Sequence, residues 1–84
     1  MIIKIYTLYN KFVKETEVIP KNFTGIIEYI DGMKQWWLNG LLHRLNGPAI
    51  EYTDGTKYWY INGLEYSEEQ HDLLTNIMKL KGLS

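Results

Sequence analysis

Eighty-four residues, 45 % hydrophobic and 14 % aromatic, make one small domain, which buries only roughly 60–65 % of its chain surface and is marginal without a partner or a second copy. The formal charge of -1 divides as +2 over residues 1–24, -2 over 25–66 and -1 over the tail, which argues against duplex nucleic acid, since phosphate binding needs clustered cations. With no cysteine, disulfide staples and thiolate metal sites are excluded, and a reducing, cytoplasmic setting is the simplest expectation.

No apolar run approaches the roughly 20 residues that cross a bilayer, and Met1-Ile2-Ile3-Lys4 begins a strand pattern rather than a leader, so the chain reads as a complete soluble protein with no membrane partner. Ile2 to Tyr9 alternates with β-branched and aromatic residues on both faces, which predicts a strand. Asn10-Lys11 makes a turn, and Phe12 to Ile19 reads as a second strand with Lys14, Glu15 and Glu17 outward. Residues 1–22 thus form an N-terminal hairpin, broken at Pro20-Lys21-Asn22.

Residues 23–66 carry one pattern twice. Ile27-Glu28-Tyr29, Asp31-Gly32, Lys34, Trp36 and Asn39-Gly40-Leu41 return 23 residues later as Ile50-Glu51-Tyr52, Asp54-Gly55, Lys57, Trp59 and Asn62-Gly63-Leu64. Each unit holds an Asp-Gly and an Asn-Gly, both suited to a two-residue type I′ turn with φ > 0 at both central positions. The expected fold is therefore mainly β: an antiparallel hairpin-repeat meander, preceded by the N-terminal hairpin and closed by a C-terminal helix. Pro48 belongs at a strand start or edge, because it has no N–H for a ladder.

Two-residue turns would place Glu28 opposite Gln35 and Ile26 opposite Trp37. One face then repeats nearly unchanged, Ile27, Tyr29, Lys34 and Trp36 matching Ile50, Tyr52, Lys57 and Trp59. A face kept in both copies is most simply the packing face, which assigns Trp36 and Trp59 to the core. The variable face, with Glu28, Gln35, Trp37 and Arg44 in one unit and Glu51, Tyr58 and Tyr60 in the other, has the aromatic and Arg composition of an interaction surface. These residues, with His43 beside Arg44, are the candidate binding residues.

Ser67-Glu68-Glu69-Gln70 is a capping box, and Leu73, Leu74, Ile77 and Met78 follow at helical spacing up to Lys79, Lys81 and Gly82. A helix over 67–82 is predicted to cover one face or end of the sheet with those four apolar residues.

Enzyme chemistry is poorly provided for. Ser67 is better used as a cap, Ser84 is terminal, and His43 and His71 have no nucleophile in sequence context. Two histidines without cysteine match no metal-ligand spacing, and nothing calls for a cofactor. Glu28 and Glu51 suggest a glycosidase pair, but three strands apart in a continuous meander they stand about 14 Å from each other, beyond the roughly 5–9.5 Å that either reaction geometry needs. A nucleotide would have to be held by stacking on Trp37 or Tyr60 with Arg44 on a phosphate.

Tyr29 to Ala49, reading Tyr-x-Asp-Gly-x-Lys-x-Trp-x-x-Asn-Gly-x-x-His-Arg-x-x-Gly-Pro-Ala, resembles the MORN-like hairpin repeats found in small proteins of bacteriophages and large DNA viruses. Asn62 to Glu69 looks like the terminal variant, in which that continuation gives way to a helix. The likeness covers about half the chain and does not reach the first 22 residues. Such proteins, and similar bacterial variants described as antitoxins, imply neutralisation by contact, with no functional residue to carry over. The expectation is a non-enzymatic, self-associating phage accessory protein in the host cytoplasm. Its target would be a host defence protein or, by sequestration, a nucleotide immune signal, the former favoured by the acidic repeat. The alternative is a glycan or cell-wall binding module, with Trp37, Tyr58 and Tyr60 stacking beside Glu28, Gln35 and Glu51; a wall-degrading enzyme is disfavoured by the carboxylate separation.

Overall fold

A computed structural model describes residues 1–82 as eight antiparallel strands and one helix; Ser84 lies outside the described residues. The strands are β1 (Ile3–Tyr6), β2 (Phe12–Thr16), β3 (Gly25–Glu28), β4 (Lys34–Leu38), β5 (Leu41–Leu42), β6 (Ile50–Glu51), β7 (Lys57–Ile61) and β8 (Leu64–Tyr66), followed by α1 (Glu68–Leu80). The sheet runs β2-β1-β3-β4-β6-β7-β8, with the short β5 paired to the end of β4. The hairpin thus joins the repeat through β1 rather than β2. β4 gives one part of its edge to β5 and the other to β6.

The two Asn-Gly turns form as the sequence predicts. Both residues have positive φ, 51° and 82° at Asn39-Gly40 and 49° and 80° at Asn62-Gly63, so Trp37 faces Leu42 and Trp59 faces Tyr66. The Asp-Gly turns do not. The Tyr29 amide donates to the Met33 carbonyl and the Gly32 amide to Tyr29, so three residues close the loop and, of these, Gly32 takes the left-handed φ of 91°. This is a type I turn followed by a left-handed residue. Asp31 contributes through its side chain, whose Oδ1 accepts from the Met33 amide at 3.0 Å. Asp54 repeats the bond to the Thr56 amide at 2.9 Å, and that amide holds its carboxyl below the usual carboxylate range.

The extra loop residue shifts the register by one, which exchanges the faces at each Asp-Gly turn. Glu28 pairs with Lys34 and Ile26 with Trp36. The face assignment from the repeat is corrected accordingly: Trp37, expected outside, packs with Tyr29 on the core of Ile3, Ile5, Phe23 and Ile27, while Trp36, expected in the core, lies on the opposite face with Ile26 and Lys34. Burial of each of those core side chains is worth about 1.5–3 kcal/mol. Gly25 permits the Phe23 ring to fold over, since a Cβ there would stand 2.5 Å from the Tyr6 carbonyl and 2.7 Å from the ring.

That second face carries a ladder of charges. Glu15 pairs with Lys4, Lys4 with Glu28, Glu28 with Lys34, Lys34 with Glu51, and Glu51 with Lys57. Six strands thus line up six residues of strictly alternating sign, each directly opposite its neighbours. The register expected from two-residue turns would have set Glu28 against Gln35 and broken the row.

Helix α1 opens on the predicted capping box, Ser67 Oγ accepting from the Gln70 amide and Gln70 Oε1 from the Ser67 amide, both at 3.1 Å. It rests on β7 and β8. Its buried residues are His71 and Thr75; of the apolar stripe expected to cover the sheet, Leu74 and Met78 are half-buried, whereas Leu73 and Ile77 face solvent.

Replacing the central rung of the ladder, Lys34→Glu, sets three carboxylates side by side. This should cost about 1 kcal/mol, or roughly 4–8 °C in Tm, and thermal denaturation should show the deficit shrinking as salt is raised. A deficit unchanged by salt would mean the ladder is not electrostatic in effect.

Candidate binding site

A concavity of about 620 Å³ opens on the ladder face between the β1–β2 loop and the segment after β5. Ile26, Lys34, Trp36 and Leu38 form its floor, Leu8 and Tyr9 one rim, and His43 to Asn46 with Glu51 the other. The volume is that of an ordinary small-ligand or side-chain pocket.

Arg44 organises the second rim. The chain leaves the β4 ladder after His43, whose amide donates to Trp36 at 3.0 Å, and the guanidinium swings over the Trp36 ring, 3.8 Å from its centroid. Nη1 donates to Glu51 at 3.2 Å and to the Pro48 carbonyl at 3.1 Å, and Nε to Asn46 Oδ1 at 3.3 Å. Gly47 lets it approach, since a Cβ there would stand 2.9 Å from Cζ. The Arg44 amide donates to Tyr60 on β7 at 3.1 Å, and its carbonyl receives Nε2–H of buried His71 from α1 at 2.6 Å. One residue ties both repeat units and the helix together.

The run His-Arg-x-x-Gly-Pro-Ala is therefore accounted for as a joint. His43 completes it, Nδ1 accepting from the Asn62 amide at 2.9 Å. An accepting Nδ1 carries no proton, and burial, aided by the nearby His71, pushes the His43 pKa below its ordinary value. The second unit needs no such run because Ser67 opens a helix where the first unit has Arg44.

Of the candidate residues, the structure brings Arg44, His43, Glu51 and one edge of Trp37 to this concavity. Glu28 shares the face but lies outside it, accepting from the Tyr6 hydroxyl at 3.1 Å, which raises the Tyr6 pKa. Gln35 is on the core face, its Oε1 receiving Tyr29 Oη–H at 3.0 Å and Trp37 Nε1–H at 3.2 Å. Tyr58 sits there too, edge-on to Tyr52 at 6.0 Å, with Tyr60 two positions along β7. Trp37, Tyr58 and Tyr60 thus share the core face, with Trp37 packed on the core, while Glu28 and Glu51, expected beside them in a glycan site, stand on the other. Sequence reasoning missed Trp36, Leu8 and Tyr9; the alternating charges, which match only in the observed register, were the available signal for Trp36.

Glu28 and Glu51 are two strands apart rather than three, because β6 pairs with β4; that is about 10 Å. Lys34 stands between them, and both accept from protein donors. Among the described residues no cluster of three His, Cys, Asp or Glu side chains is placed to hold a metal, and no helix is long and apolar enough to cross a membrane. Compared with known proteins, the chain matches no family model, no curated protein and no solved structure.

Two outcomes test the joint. In a double-mutant cycle, Arg44→Ala and Glu51→Gln should couple by about 0.5–1 kcal/mol; additive losses would make the pair an incidental surface contact. His43 is held neutral by the fold, so its contribution is present above the unfolded pKa of about 6.5 and is lost as pH falls through the lowered folded value. Tm should thus decline from pH 7 to 5, and His43→Gln should flatten that decline.

Proposed function

We propose that this chain is a non-enzymatic accessory protein of the bacteriophage type, which neutralises a host defence protein by binding it in the host cytoplasm. The observation that carries the reading is the charge state of the concavity. Its floor is Trp36, its rim exposes Leu8 and Tyr9, and both of its cations have carboxylates beside them: Arg44 is paired with Glu51, and Lys34 stands in register between Glu28 and Glu51. A phosphate-bearing signal would meet the like charge of Glu51 beside both cations and would compete with it for Arg44. An aromatic or aliphatic anchor from a protein would not, and Trp, Tyr and Arg in a concave, partly desolvated setting are the composition of interface hot spots.

Leu8 and Tyr9 are 48 % and 89 % exposed, so replacing them tests contact without touching the core. In infected cells, wild type should suppress the defence and retain a host protein in native mass spectrometry. Leu8→Glu with Tyr9→Ala should lose both while its far-UV circular dichroism is unchanged. Recovery of a nucleotide-sized mass instead of a protein would overturn the reading in favour of sequestration.

A further inference from the structure

Helix α1 turns His71 and Thr75 inward, with Leu74 and Met78 half-buried beside them, and leaves three further apolar residues outward. His71 and Thr75 are 2 % and 6 % exposed, whereas Leu73, Ile77 and Leu80 are 62 %, 40 % and 88 % exposed. Their spacing of i, i+4 and i+7 makes one stripe on the side away from the sheet. A single exposed Leu follows from its helix propensity and needs no other cause. Three at seam spacing, one of them β-branched Ile with no propensity advantage, are not explained that way.

Charge decides what covers the stripe. Glu68 and Glu69 occupy the first turn and Lys79 the last, with Lys81 at the C-cap. A second copy of this helix laid parallel would set like charge on like and align the two helix dipoles. Laid antiparallel, it sets the acidic end of each helix beside the basic end of the other and opposes the dipoles. With a two-fold axis near Ile77, Leu73 of one copy meets Leu80 of the other, and Lys81 at the basic end of each comes level with Asp72 of the other.

We propose that α1 is a self-association surface, through which two copies pair antiparallel by Leu73, Ile77 and Leu80. No residue of α1 lines the concavity over Trp36, so the dimer leaves both concavities free and presents two of them on one particle. Bivalent presentation raises avidity toward an oligomeric target without any new contact.

The chain has no cysteine, so a single introduced thiol reports proximity cleanly. In sedimentation, wild type should pass from its 10.0 kDa monomer to a dimer between about 1 µM and 1 mM, the range of a small interface. The double variant Leu73→Glu with Leu80→Glu should stay monomeric with unchanged circular dichroism, since both side chains are exposed. Under mild oxidation Ile77→Cys should form a covalent dimer at least tenfold faster than Glu17→Cys on the N-terminal hairpin. The proposal is overturned by a wild type still monomeric at 1 mM, by a double variant that dimerises like wild type, or by equal cross-linking at the two thiols.

Discussion

The Arg44 guanidinium lying on the Trp36 ring is the contact on which the arrangement of the repeat depends. The strand pairing between the two hairpin units is short, since β5 and β6 contribute only two residues each to the sheet. Arg44 supplies what those short strands cannot. Its side chain reaches Glu51 and Pro48, its amide reaches Tyr60, and its carbonyl receives His71, so β4, β6, β7 and α1 meet at one residue. A planar cation does this where Lys would not, because it can stack on the indole and donate in several fixed directions together. The glycine and proline after it are part of the same device, one giving room and the other an acceptor.

This view explains which features were legible in the chain. The repeat, the two Asn-Gly turns, the capping box and the mainly β class all rest on local rules, and local rules held. The faces rest on register, which depends on one loop residue. Asp-Gly suits a two-residue turn and a three-residue turn alike; the bond from Asp31 to the Met33 amide and its copy at Asp54 are what select the longer one. A slip of one residue then moved Trp37 to the core and Trp36 to the open face. The ladder from Glu15 to Lys57 is a long-range pattern that only the correct register aligns, so charge complementarity carried information about the turn that the turn sequence itself did not.

The helix shows a second limit of pattern reading. Leu73, Leu74, Ile77 and Met78 have the periodicity of a buried stripe, and the moment of such a helix points to a core. Where the helix docks, however, Lys57 and Trp59 of β7 lie beside the Arg44 carbonyl, to which His71 donates, while Thr75 turns its hydroxyl back to the His71 and Asp72 carbonyls of its own helix. A buried polar group left without a partner costs more than an exposed leucine. The rotation of the helix is therefore set by the acceptor on Arg44, and the leftover apolar stripe is its consequence.

The same economy of charge bears on what this protein can hold. A phosphate site needs cations whose donors are open, yet Arg44 is already fixed by three acceptors and an aromatic ring, and Lys34 lies within a row of carboxylates. Releasing Arg44 to a ligand would loosen the joint between the units, so ligand affinity and fold stability would oppose each other at one residue. Contact through the concavity rim has no such conflict, because Leu8 and Tyr9 take no part in the joint or the core cluster. The hairpin that presents them enters the sheet through β1, opposite in the strand order to the end that carries α1. The fold thus separates the residues that hold it together from those it exposes, and the exposed ones are apolar and aromatic, which suits a protein surface better than a phosphate.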